Sequence, residues 1–274
     1  MLEGDNVKRC SEPICKEDIS VDLVRKLVHS QFPKFVGLPI IKVIPGGWDN
    51  VTFRLGDNLL IRLPSATRYS AQVAKEQKWL PILAKSISFE IPRPTAMGKS
   101  TEEYPWNWSI YNWIVGEVAS NESDLDQIKL ADDMVRFLAQ LHSIDPTEGP
   151  EPGDHNFHRG GSIEFYKSES FSLIDRLQGI IDTKAIGGVI QQALSTTWSR
   201  PPVWVHGDLS ATNLLVTEGR LKAVLDFGSS AVGDPACDFA IAWTLFGSEA
   251  REHIRSGLGI DEATWNRAKS WVLS

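Results

Sequence analysis

The sequence predicts a mixed α+β chain of two lobes, a small strand-rich one over residues 1–115 and a larger, mainly helical one over residues 116–274. Three observations lead there. Residues 39–64, "PIIKVIPGGWDNVTFRLGDNLLIRLP", are short apolar runs divided by "GGWD" and "GDN", the grammar of three strands and two turns. Beyond Gly116 the apolar spacing becomes helical, as in "LADDMVRFLAQLHSI". The charge changes at the same place: 15 Lys and Arg against 12 Asp and Glu in residues 1–115 become 13 against 23 in the remainder, so the two parts carry +3 and −10.

The elements follow in order. "SVDLVRKLVHSQF" has helical apolar spacing behind Ser20 as a cap. After the three strands, "SAQVAKEQKWLPILA" reads as a helix interrupted late by Pro81. "YPWNWSIYNWIVGE" is aromatic and β-branched enough for a further strand ending at Gly116, its tryptophans Trp106, Trp108 and Trp113 belonging to a core rather than to a stacking platform. His142 closes a helix. "HNFHRGG", residues 155–161, is either a surface loop or a wall of a pocket.

Composition bounds the class. The chain is 42% hydrophobic and 23% charged, as ordinary globular proteins are. No run approaches the roughly 18 apolar residues of a membrane span, and "MLEGDNVKRC" lacks a basic segment leading into an apolar one, so the expected location is the cytoplasm, with no membrane partner. The net charge of −7 argues against a nucleic-acid partner. Cys10, Cys15 and Cys237 are expected as reduced thiols. Thirteen acids lie between Glu117 and Asp175 against Lys129, Arg136, Arg159 and Lys167, which is either a solvated surface or a field that gathers a cationic ligand.

The chemistry concentrates late in the chain. "NLLV", "TEGR" and "LKAVLDFG" spell two strands joined by a short glycine-containing turn. A hairpin folds its ends together, bringing Asn213 near Asp226, with Asp208 on the loop leading in. Hard oxygen ligands gathered at a strand end suit magnesium, which keeps waters and substrate phosphates in its shell.

"HGDLSATN" followed by "LDFG" matches the kinase arrangement of a catalytic-loop Asp, an Asn five residues on and a metal-binding Asp in D-F-G. With Gly207 where protein kinases carry Arg, and with "GDPACDFA" following, the sequence resembles the aminoglycoside phosphotransferase family over nearly its whole length. That resemblance implies a protein-kinase-like fold, with a small antiparallel-sheet N-terminal lobe and a mainly helical C-terminal lobe. It implies a catalytic Asp208, magnesium held by Asn213 and Asp226, and a catalytic loop braced by His206 and Asp238. In the small lobe it implies a phosphate-covering loop at Gly46, Gly47 and Asn50, a phosphate-pairing Arg62 where the family commonly has Lys, its partner Glu76, and a hinge at Asn112, Trp113 and Ile114 reading a purine through backbone groups.

The activity so implied is transfer of the γ-phosphate of ATP or GTP to a hydroxyl of a small molecule. An aminoglycoside-type, cationic antibiotic is the leading acceptor, and a macrolide or another small alcohol is the alternative. A catalytically inactive nucleotide-binding regulator is the reading from another class. The sequence stops at "RAKSWVLS", where members of the family often continue with helix, so part of the acceptor pocket is expected to be missing or unusual.

Overall fold

The computed structural model describes residues 11–121 and 125–273. Contacts divide the chain into two compact units, one made of residues up to Pro81 together with Pro92–Ile114, the other of Ile82–Ile91 and the residues from Val115 on.

In the first unit, helix α1 (Val21–Gln31) starts where Ser20 accepts the Leu23 N–H at 3.3 Å. Leu23, Val24, Leu27 and Val28 recur at helical spacing and are buried. Five antiparallel strands, β1 (Ile40–Lys42), β2 (Asn50–Leu55), β3 (Leu59–Pro64), β4 (Pro94–Gly98) and β5 (Trp108–Asn112), form a sheet in the order β1-β2-β3-β5-β4. The register pairs Asn50 with Pro64 and Leu55 with Leu59. Alternation therefore sends Val51, Phe53 and Leu55 to one face, where they join Ile61, Leu63, Trp106, Trp108 and the apolar stripe of α1 in one core.

Two expectations change here. Helix α2 (Ser70–Leu83) continues through Pro81, because in the last turn the missing N–H removes one bond without breaking the helix. The aromatic strand ends at Asn112 rather than Gly116, and its neighbour β4, "PTAMG", carries no strand-like pattern that could have announced it.

The second unit holds helices α3 (Gln127–His142), α4 (Lys167–Arg176), α5 (Thr183–Leu194), α6 (Ala236–Phe239), α7 (Ile241–Thr244), α8 (Ser248–Gly257) and α9 (Glu262–Trp271). Strands β6 (Glu117–Val118), β8 (Leu214–Thr217) and β9 (Arg220–Val224) form one small sheet, and β7 (Val203–Val205) pairs with β10 (Ala231–Gly233) in another. The hairpin read from the sequence is β8–β9. Its two-residue turn, Glu218–Gly219, has φ of 52° and 71°, the pair of left-handed residues that matches strand twist.

Helix α3 buries Leu130, Met134, Phe137, Leu138 and Leu141 and is capped by Asp126, which accepts the Lys129 N–H at 3.1 Å. Asp133, fully buried on the same helix, accepts from Arg220 Nε at 2.7 Å and from the Leu221 N–H at 3.0 Å, tying β9 to α3. Burial alone would raise its carboxyl, but the guanidiniums of Arg220 and Arg136 and the Leu221 N–H outweigh it and hold the group below the usual carboxylate range.

No helix among the described residues is long and apolar enough to cross a membrane. Of the cysteines, Cys237 is free and buried, whereas Cys15 is disulfide-bonded, so the expectation of three reduced thiols fails at Cys15. Cys10 lies outside the described residues, as do Glu122 and Asp124 of the acidic segment.

Candidate active site

In the second unit, β7 delivers the chain into His206–Asn213, and β8–β9 returns it to Asp226. The first bonds of this loop are made by Asp238. Its carboxylate, wholly buried on α6, accepts the N–H of His206 and the N–H of Gly207, each at 2.7 Å. This carboxyl is raised to about 7: burial pushes it up, the two N–H groups pull against that, the charge of Asp208 raises it and that of Arg159 lowers it.

His206 is equally buried. Its Nε2–H donates to the Leu225 carbonyl at 2.8 Å, and its Nδ1 accepts the Asp208 N–H at 3.2 Å, so the ring is the neutral Nε2–H tautomer. Burial drives its pKa down to about 4, against the weaker pull of the Leu225 carbonyl and Asp226. A neutral imidazole thus joins the start of the loop to the residue before Asp226.

Gly207 has φ of +84°, and a Cβ there would stand 2.4 Å from the Ser229 carbonyl oxygen. The position therefore excludes the arginine of protein kinases on steric grounds.

The polar side chains then meet. Asn213 Nδ2 donates to the Asp208 carbonyl at 2.9 Å and to Asp208 Oδ2 at 3.1 Å, while the Leu225 N–H donates to the Asn213 carbonyl at 2.8 Å. Asp226, in the left-handed region with φ of 63°, follows directly and opens a short 3-10 turn, Phe227–Ser229. The Phe227 ring packs edge-on against His206, centroids 4.6 Å apart.

Among the described residues, no group of three His, Cys, Asp or Glu forms a metal-holding cluster. The donor set nevertheless fits magnesium: Asn213 Nδ2 is committed to Asp208, its Oδ1 makes no hydrogen bond among the described residues, and Asp226 would be the second hard oxygen donor.

Sequence reasoning left residues 155–161 as either a surface loop or a pocket wall, and it missed the role of Asn156, whose bond to Ser229 is long-range. Asn156, fully buried, donates to the Arg159 carbonyl at 2.8 Å and to the Ser229 carbonyl at 3.1 Å, fastening "HNFHRGG" to the D-F-G turn. Beside it a cavity of about 590 Å³ is lined by Gly149, Glu151, His158, Gly160 and Val232.

In the first unit, Arg62 on β3 and Glu76 on α2 form the expected pair, with Nη1 3.1 Å from Oε1 and only 10% and 5% of the side chains exposed. The structure adds a third member, Tyr111, whose hydroxyl donates to Glu76 Oε2 at 2.5 Å. Burial, then the Glu76 charge, pushes that phenol well above its ordinary range.

Gly46 and Gly47 lie in an exposed loop beside Ile44 and Trp48. Their N–H groups have no partner among the described residues, while the Gly47 carbonyl accepts from Lys16 Nζ at 2.7 Å. Asn50 opens β2 and is buried. At the end of β5, the Asn112 N–H is bonded to the Arg93 carbonyl at 3.1 Å and the Trp113 N–H to the Asn58 carbonyl at 2.8 Å. Of the three N–H groups assigned to the hinge, Ile114 alone keeps its N–H without a partner among the described residues.

The model of the phosphotransferase enzyme family, APH, matches residues 40–271, and the chain belongs to that family. An aminoglycoside 3'-phosphotransferase of Salmonella typhimurium is 26% identical over 53% of this chain and 54% of its own length. The chain spans about half the length of the curated relatives it matches. Among solved structures, the GDP and kanamycin complex of APH(2")-IIIa is 18% identical, covers 92% of this chain and 88% of that one, and superposes with a TM-score of 0.71. The macrolide 2'-phosphotransferase MphH of Brachybacterium faecium is 20% identical over 92% and 88%, with a TM-score of 0.65. The fold is thus the two-lobed, protein-kinase-like α+β fold shared by these phosphotransferases.

Proposed function

We propose that this chain is a phosphotransferase that moves the γ-phosphate of ATP or GTP to a hydroxyl of a small molecule, and that Asp208 is its catalytic residue. One observation carries the reading: Asp208 is an exposed carboxylate on a loop whose backbone is fixed by buried Asp238 and His206, and its Oδ2 is held by the Asn213 amide.

Asp208 would accept the proton of the attacking hydroxyl as its oxygen bonds to the γ-phosphorus and the bond to the β-phosphate oxygen breaks. Asn213 orients that carboxylate through Nδ2, and with Asp226 it would hold magnesium. When bound, the ion neutralises phosphate charge. His206 and Asp238 keep the loop's shape without touching substrate. Arg62, kept in place by Glu76 and Tyr111, would bind phosphate bidentately. The N–H groups of Gly46 and Gly47 would approach an anion, and Ile114 would offer its N–H to a purine.

The acceptor is a choice between a cationic aminoglycoside and a neutral or weakly charged alcohol such as a macrolide. Relatives acting on aminoglycosides favour the first. The second is favoured where the acidic segment meets cations: Asp126 pairs with Lys129, Asp133 with Arg220 and Arg136, and Glu164 with Lys167. Carboxylates committed to local partners add little to a field that gathers a polycation.

The test is incubation with ATP or GTP, magnesium and a panel of aminoglycosides, macrolides and small alcohols, followed by mass spectrometry for a gain of one phosphoryl group. Product with any acceptor supports the reading and excludes an inactive regulator; no product with any would count against it. For an acceptor that reacts, kcat/KM falling with added salt identifies a polycation, because the Debye length shortens from about 30 Å at 0.01 M to about 8 Å at 0.15 M.

A further inference from the structure

A second buried ion pair lies behind the catalytic loop. Arg267 on α9 and Asp234 are 3% and 8% exposed, with Arg267 Nε donating to Asp234 Oδ2 at 2.7 Å and Nη2 to Oδ1 at 3.4 Å. The guanidinium is satisfied further by Thr196 Oγ1 at 3.1 Å and Thr264 Oγ1 at 3.2 Å. Two oxygens, two threonines and a planar fork define one orientation, which an ammonium could not reproduce.

Asp234 is engaged on every side. Its N–H donates to the Gly160 carbonyl at 2.7 Å, and its Oδ1 accepts the Ala236 N–H at 3.0 Å, fixing the start of α6. Two residues on, the same short helix carries Asp238, whose carboxylate holds the His206 and Gly207 N–H groups. A continuous series of hydrogen bonds thus runs from α9 through Asp234 and the first turn of α6 to the residues preceding Asp208.

We propose that Arg267 is a positioning residue for the catalytic loop: by clamping Asp234 it sets where α6 presents Asp238, and so where the loop carries Asp208. Helix α9 is suited to act as a fixed base, since Thr264, Trp265, Asn266, Arg267, Ala268, Ser270 and Trp271 are all buried. Asp261 caps it by accepting the Thr264 N–H at 2.8 Å. The kinetic consequence rests on the phosphotransferase reading, whereas the mechanical coupling does not.

Arg267→Lys keeps the charge and loses the fork. In hydrogen-exchange mass spectrometry the peptides covering residues 204–209 should exchange roughly tenfold faster than in the wild type, while those of β8 and β9 stay unchanged. Transfer should slow by roughly 10- to 100-fold in kcat with the nucleotide KM within about twofold, because misplacement of a catalytic group costs rate rather than binding. Should Arg267→Lys fail to fold, Asp234→Asn can keep an oxygen for the Ala236 N–H but puts an amide donor where Oδ2 accepted from Arg267 Nε, and Thr196→Val removes a single bond; both should move the same peptides in the same direction, Thr196→Val to a smaller extent. Unchanged exchange at 204–209 in folded Arg267→Lys or Asp234→Asn would overturn the proposal, as would a uniform rise across the second unit. Faster local exchange in a protein that phosphorylates no acceptor would uphold the coupling and count against the proposed function instead.

Discussion

Residues 206–213, with the residues that hold them, and residues 44–50 are both polar segments between strands, and both were singled out from sequence for phosphate chemistry, yet they are built in opposite ways. In the first, His206, Gly207, Asp208, Asn213, Leu225 and Asp238 are joined by hydrogen bonds of 2.7–3.2 Å. In the second, the N–H groups of Gly46 and Gly47 have no partner among the described residues, and Trp48 is 88% exposed. On the proposed function the difference has a reason: a site that orients a reacting carboxylate is fixed beforehand, whereas a loop that would lie on phosphates can leave its donors for the ligand.

The largest contrast should appear at the glycines. Gly207→Ala forces a side chain into a left-handed position and against the Ser229 carbonyl, and should cost roughly 2 to 5 kcal/mol in chemical denaturation. At Gly46 a Cβ meets only the Val43 carbonyl oxygen at 3.7 Å, so Gly46→Ala should change stability by less than about 0.5 kcal/mol. Equal costs would break the comparison.

Acid stability separates the loop's own groups from their surroundings. His142 at the end of α3 is held neutral by burial, its pKa lowered to about 4 from 6.5, and its ring packs edge-on against Phe239, centroids 5.8 Å apart. Between these values the unfolded chain binds more protons, so this group's contribution is complete above about 6.5 and is lost as the pH falls towards 4. His206 acts in the same sense, while Asp238, whose folded carboxyl protonates at about 7 rather than 3.8, acts in the opposite one. His142→Phe should therefore lose less stability than the wild type between pH 7 and 4, by an amount on the order of 3 kcal/mol. The acid dependence that remains comes from His206 and Asp238, joined near pH 4 by carboxylates held below their usual range such as Asp133. Parallel pH profiles for the two proteins would contradict the partly buried, neutral His142.

A smaller effect is expected in the first unit. Tyr111→Phe removes one bond to Glu76 and leaves the pair with Arg62, so stability should fall by about 1 kcal/mol and nucleotide KM should rise only slightly. A loss as large as that of Gly207→Ala would show that Tyr111 is the principal anchor of this triad.

What could be read from sequence was what the backbone makes local. The β8–β9 hairpin was legible in alternating apolar residues around "TEGR", and with it the approach of Asn213 to the residue before Asp226. Arg62 facing Glu76 was expected from the family resemblance, since the residue pattern of a strand and the following helix does not by itself pair them. Tyr111 came from a third element and gave no signal, because a tyrosine in an aromatic strand reads as core. The bonds that occupy the Asn112 and Trp113 N–H groups run to Arg93 and Asn58, and backbone pairing of that kind leaves no trace in residue identity. Asn156 and the Arg267–Asp234 clamp were hidden by sequence separations of 73 and 33 residues.

The central claim is that Asp208 serves chemistry while Asp226 serves magnesium-dependent nucleotide binding, and measuring both quantities on both variants tests it most directly. Asp208→Asn should bind nucleotide with magnesium nearly as the wild type does and lose roughly 10²- to 10⁴-fold in single-turnover phosphoryl transfer. Asp226→Asn should lose the magnesium-dependent part of nucleotide affinity itself. If both variants lost nucleotide alike, with neither selectively impaired in transfer, the division of labour between the two carboxylates would be wrong.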